Sequence, residues 1–154
     1  MQQGTQQVKG CLIALIGAAL AVALAEGGSK CYMARREWNK RRVTIQRIER
    51  VRKALIDYAI DNAGYFPTRE QGLKALIERP SNVPIRWKGP YLSNPEDIYD
   101  GWQRPFCYLL NPPNSDGTPP PHPFELLSRG RDDSDGGTGL DADIDAWNPA
   151  TLLP

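Results

Sequence analysis

The chain has 154 residues, which favours one domain plus an anchoring segment over two full domains. Its 19 Lys and Arg nearly balance its 18 Asp and Glu, so global charge points to no polyanionic partner, nucleic acid included. The three cysteines and the single His122 lack metal-ligand spacing, which argues against a zinc site, and an odd cysteine count argues against a disulfide framework.

Residues 1–10 are polar, with Lys9 as the only charge, and residues 11–25 are uninterruptedly apolar. A helix of that length reaches about 22 Å, short of the roughly 30 Å hydrocarbon core. Three readings stand open. The segment fits a cleavable export signal ending at Ala23-Leu24-Ala25, an uncleaved single-span anchor, or the lipid-facing half of a longer helix. The basic run Lys30, Arg35, Arg36, Lys40, Arg41 and Arg42 comes next, a flank that the positive-inside rule keeps in the cytoplasm.

Residues 32–62 read as a helix. Ile45, Ile48, Val51, Leu55 and Tyr58/Ala59 recur at three and four, giving one apolar stripe for packing against the chain's own domain. The other face carries Gln46, Arg47, Glu49, Arg50, Arg52, Lys53 and Asp57, with Glu49 placed to pair with Lys53 in the favourable order. Gly64 is expected to cap the helix. A second short helix is expected from Thr68, where Thr68-Arg69-Glu70-Gln71 fits a capping box and Leu73, Leu76 and Ile77 supply an apolar face, with Pro80 ending it.

Beyond it, 106–110 and 124–128 read as strands, with Cys107 as a small buried core residue. Between them, 111–123 is a Pro-rich loop that cannot pair in a sheet. Trp87, Tyr91, Trp102, Phe106 and Trp147 are expected to fill the core of a small domain. Asp132, Asp133 and Asp135, followed by Asp141, Asp143 and Asp145, gather hard oxygen ligands in a Gly-rich loop suited to Ca²⁺, without the EF-hand pattern. Asp141 and Asp143 have no His partner, nucleophile or phosphate loop beside them in the sequence, so no enzyme is expected.

Four blocks then appear in order. They are Asn62-Ala63-Gly64-Tyr65-Phe66-Pro67-Thr68-Arg69-Glu70-Gln71-Gly72-Leu73-Lys74-Ala75-Leu76, Trp87-Lys88-Gly89-Pro90-Tyr91-Leu92, Asp100-Gly101-Trp102-Gln103-Arg104-Pro105-Phe106, and the stretch from Ser128-Arg129-Gly130-Arg131-Asp132 through Gly136-Gly137-Thr138-Gly139-Leu140-Asp141-Ala142-Asp143-Ile144 to Trp147. Together they resemble the major pseudopilins of type II secretion systems. Lys9-Gly10-Cys11 resembles the family's processing site, and Leu15 stands where the family has a glutamate that pairs with a neighbouring subunit's N-terminus. Glu26-Gly27-Gly28 is a polar, flexible break in the helix.

The resemblance implies an α+β fold, pilin-like, with a long N-terminal helix packed on a small antiparallel sheet and a C-terminal calcium-binding loop. It divides the chain into a leader-like segment 1–10, an apolar membrane and assembly helix 11–31 and a periplasmic head 32–154. It implies a structural subunit that polymerises with itself through its helix to support protein export across the outer membrane. Its partners would be minor pseudopilins, the inner-membrane assembly platform, the membrane and a prepilin peptidase that cuts between Gly10 and Cys11, with methylation accompanying that processing. The place would be the inner membrane of a Gram-negative cell, with the head in the periplasm. Calcium would be held by Asp132 and a backbone carbonyl near Arg129. Gly139 occupies the position of a further family acid, which leaves Asp141 and Asp143 as candidates for the second carboxylate. The basic stretch from Arg35 to Lys53 reads as a solvated face, and in a filament its Arg47 and Arg50 would meet the acidic loop of the next subunit. A non-polymerising, soluble or singly anchored partner-binding module is the alternative.

Overall fold

The computed structural model describes the backbone of residues 3–81 and 86–153, and side chains from Cys31 onward within them. The expected processing site at Gly10 and Cys11 and the side chains of the apolar segment lie outside the described residues. The chain falls into two compact units, Met1–Arg36 and Glu37–Pro154. In the first, the described backbone is helical; the sheet, the core and the loops belong to the second.

Helix α1 (Gln3–Asp61) ends in the second unit, with 3₁₀ turns at Leu73–Leu76 and Pro95–Ile98 after it. Three strands complete the unit: β1 (Cys107–Leu110), β2 (Phe124–Ser128) and β3 (Ile144–Asp145). They form an antiparallel sheet in the order β1-β2-β3. The expected α+β fold, a long helix packed on a small antiparallel sheet, is therefore what the chain adopts.

The expected stripe of α1 is the buried one. Ile45, Ile48, Val51, Leu55, Tyr58 and Ala59 are buried, and all but Ala59 share one core with Leu73, Leu76, Phe106, Phe124, Leu126 and Ile144. Burial of each large apolar side chain stabilises the fold by about 1.5–3 kcal/mol. Phe106 is buried, and Trp87, Tyr91, Trp102 and Trp147 pack partly buried against the core, as expected. Trp87 Nε1 donates to the Ala75 carbonyl and Trp147 Nε1 to that of Phe124, so both indoles bury their rings with the polar handle satisfied. Tyr108 donates to the Pro67 carbonyl at 2.8 Å, tying the Tyr-Phe-Pro block to β1.

Five expectations need correction. The helix turns off one residue early: Ala63 takes the left-handed conformation at φ 57°, and Gly64 N–H reaches back to the Ala59 carbonyl at 2.8 Å. The second helix is a turn plus a 3₁₀ turn. Its capping box does form, with Thr68 N–H donating to Gln71 Oε1 and Gln71 N–H to Thr68 Oγ1, but Gly72 at φ 55° stops an α-helix from propagating. Cys107 is exposed. The register sets Tyr108 opposite Leu126 and Leu110 opposite Phe124 on the core face, which turns Cys107 and Leu109 to the other face. Lys53 pairs with Asp57 at 3.7 Å rather than with Glu49.

The fifth correction concerns the basic face of α1, which is not a free surface. Arg50 makes two 2.9 Å bonds to Asp97, and Arg47 lies 3.7 Å from the same carboxylate while donating to the carbonyls of Tyr99 and Asp100. Arg47 and Arg50 thus bind their own head.

Candidate functional site

The Asp-rich loop leaves β2 at Ser128 and returns at β3, so it is slung between two strands of the core sheet. Its base rests on Asp100, which is almost fully buried. Asp100 Oδ1 accepts from the N–H groups of Trp102 and Arg104, and Oδ2 accepts from the Ser128 hydroxyl at 2.9 Å and pairs with Arg104 at 3.2 Å. Gly101 N–H donates to Thr44 on α1, and any side chain at Gly101 would collide with the Lys40 carbonyl. That close approach explains a glycine there, and it presses the turn onto the helix.

From this base Arg104 reaches into the loop. Its guanidinium donates to the Gly130 carbonyl and to that of Arg131, and lies 3.4 Å from Asp133. Arg41, buried on α1, donates to the Ala142 carbonyl on the returning limb at 3.1 Å and to that of Thr151. Two arginines from outside the loop therefore hold its backbone carbonyls, and each such charge-assisted bond is stronger than a neutral one.

Within the loop the two limbs run side by side. Arg131 N–H donates to the Leu140 carbonyl at 2.9 Å, and Asp143 N–H to that of Gly136 at 3.0 Å. Gly130 (φ 64°) and Gly137 (φ 80°) clasp the Asp141 backbone. A Cβ on either would stand 2.6 or 2.5 Å from the Asp141 carbonyl oxygen.

The predicted site residues fall into different environments. Asp132 is exposed, and its Oδ1 accepts from Ser134 N–H at 3.2 Å. The Arg129 guanidinium pairs with Asp135 at 2.7 Å. Asp141 gives both oxygens to Arg131, at 2.7 and 2.8 Å. These hydrogen bonds raise the pKa of Arg129 and of Arg131. Asp143 Oδ2 accepts from Gly136 N–H at 2.9 Å, while its Oδ1 is buried with no hydrogen-bond partner. A buried carboxylate oxygen left unpaired is costly, and its chemistry suits a hard cation. Among the described residues no three His, Cys, Asp or Glu converge to hold a metal. Backbone carbonyls would therefore have to complete any cage, as Ca²⁺ commonly allows. Sequence reasoning missed Arg41, Asp100 and Arg104. The signals were the acid and base four residues apart in Asp100-Gly101-Trp102-Gln103-Arg104 and the place of that stretch among the four blocks.

The family model for type II secretion system protein G matches residues 31–147. The chain belongs to this family. All four sequence blocks, and the whole of the loop between β2 and β3, fall inside the matched stretch. The chain is 38% identical to the type II secretion system core protein G of Pseudomonas aeruginosa over 104 residues, 66% of each protein. It is 37% identical to that of Vibrio cholerae over 98 residues, 62% of this chain and 60% of that one. It thus spans about two thirds of the first relative and somewhat less of the second. The crystal structure of the major pseudopilin from the type 2 secretion system of enterohaemorrhagic Escherichia coli shares its fold. That likeness has a TM-score of 0.53 at 24% identity and covers 75% of this chain and 88% of that one.

Proposed function

We propose that this G-family chain is a structural subunit of a type II secretion pseudopilus, polymerising through its N-terminal helix to support export across the outer membrane. The observation that carries this reading is the family match over residues 31–147, which joins a helix-borne head to the Asp-rich loop in one module. The outer flank of α1 adds support: Trp38, Arg42, Glu49, Lys53, Ile56 and Ile60 lie within one helical stripe, and Ile60 is 74% exposed. A large apolar side chain that stays wet in the monomer suits packing between copies.

In this reading the partners are other copies, minor pseudopilins, the inner-membrane assembly platform and a prepilin peptidase acting at Gly10 and Cys11. The head lies in the periplasm and the apolar segment 11–25 in the inner membrane. Among the described residues no helix is long and apolar enough to cross a membrane. Ca²⁺ would be held by Asp132, the Arg129 carbonyl and a second carboxylate from Asp141 or Asp143, tying the two limbs of the loop together. The support for it is the orphaned Asp143 Oδ1. Leu15 in place of the family's glutamate favours the alternative, a module that binds partners without polymerising.

Deletion of residues 11–25 separates the two. Detergent-extracted protein should self-associate, and the deletion should abolish it; self-association that survives the deletion contradicts the filament subunit.

A further inference from the structure

Five aspartates lie in the loop: Asp132, Asp133, Asp135, Asp141 and Asp143. Three of them face arginines, through the pairs Arg104–Asp133, Arg129–Asp135 and Arg131–Asp141. Only Asp132 and Asp143 have no arginine partner among the described residues, and their two negative charges match one divalent cation.

The Arg131–Asp141 pair differs from the other two. It is bidentate, the arrangement that adds geometric definition to charge. The same Arg131 also makes the backbone bond to Leu140, so one residue joins the limbs twice. The Asp141 backbone is fixed as well, by its N–H bond to the Thr138 carbonyl, and Gly130 and Gly137 approach its own carbonyl too closely for a side chain on either. Asp141 is thus held at backbone and side chain without a metal, whereas Asp143 keeps one buried oxygen without a partner.

We infer that Arg131 and Asp141 form a permanent clasp, a built-in second staple of the loop, and that Asp143 rather than Asp141 supplies the second carboxylate to the cation. This rests on the calcium reading above. Arg131 is a positioning residue here. It fixes the Asp141 limb so that Asp143, two residues on, is presented at the same place whether or not the metal is bound. The loop then keeps its shape in chelator and loses only the tie made through Asp143.

The test uses the full chain and four variants: R131Q, D141N, the double variant R131Q/D141N, and D143N. Each is melted in excess chelator and in calcium, and calcium is titrated by calorimetry. R131Q and D141N should each lower the melting temperature by about 2–4 °C, the size expected for an exposed ion pair. The drop should be equal in chelator and in calcium, and the double variant should fall no further than either single one. Calcium affinity should stay within about threefold of the parent in D141N and fall at least about tenfold in D143N. Loss of calcium binding in D141N, or tighter binding in R131Q, would overturn the clasp, because either makes Asp141 a ligand for which Arg131 competes. If the parent chain itself takes up no calcium, the calcium reading fails; the clasp still stands or falls on the melts in chelator.

Discussion

The helix–sheet core and the Asp-rich loop are stabilised by opposite means within one small head. In the core, Ile48, Val51, Leu55, Phe124, Leu126 and Ile144 are sealed from water, and the interactions are non-directional. In the loop most residues from Arg131 to Gly139 are exposed. Its shape comes from four arginines, two of them sent in from α1 and the Gly101 turn, and from glycines at positive φ. The core therefore tolerates changes of pH and salt that the loop should feel. The loop is ordered from beneath: Asp100, Arg104 and Arg41 carry order from α1 and β2 into a segment with almost no apolar content of its own.

Damage to the core should have the largest effect. Leu55→Ala should destabilise the head by about 3–5 kcal/mol, since Leu55 is fully buried in a shared cluster. Denaturant unfolding followed by tryptophan fluorescence measures it, and core and loop should unfold together. A smaller effect is expected where charge enters the core. Asp97→Asn leaves Arg47, only 12% exposed, without its counter-charge and weakens the Arg50 bonds. The loss should be about 2–3 kcal/mol by the same measurement, below the full figure for a buried pair because Arg50 is half exposed. For the same reason Arg47→Glu with Arg50→Glu should unfold the head rather than only block assembly.

The smallest effect belongs to pH. The Glu37 carboxyl is held below the ordinary carboxylate range, chiefly by its hydrogen bond from Lys40 and then by the one from Trp102. A depressed carboxylate adds stability above its unfolded-state pKa and loses it as pH falls through the folded value. Glu37→Gln should therefore melt below the parent at neutral pH, and the gap should close below about pH 4. A gap that is unchanged from pH 7 to about pH 3 would assign the Glu37 charge no part in the stability of the head.

The same division between core and loop governs what the sequence made legible. The α1 stripe, the strand 124–128 and the Pro-rich loop follow from periodicity and turn chemistry, and they stand where expected. Phe106-Cys107-Tyr108-Leu109-Leu110 marked a strand but not its phase, because an unbroken apolar run has no period; register alone turned Cys107 outward. The two-residue strand β3 was too short to signal itself. Arg41, Arg47 and Arg50 looked like a solvated face, because nothing local shows that a carboxylate or carbonyl 47 to 110 positions away will fold onto them. In the loop, composition and the family resemblance singled out the aspartates. Which of them face arginine, and which keeps a bare oxygen, depends on how the limbs meet.

The most direct test of a filament subunit is the intact mass of the protein isolated from its native membrane and periplasmic fractions. A membrane-bound form beginning at Cys11 is expected, with the apolar segment retained for assembly. A form beginning at Glu26, released without that segment, would contradict it.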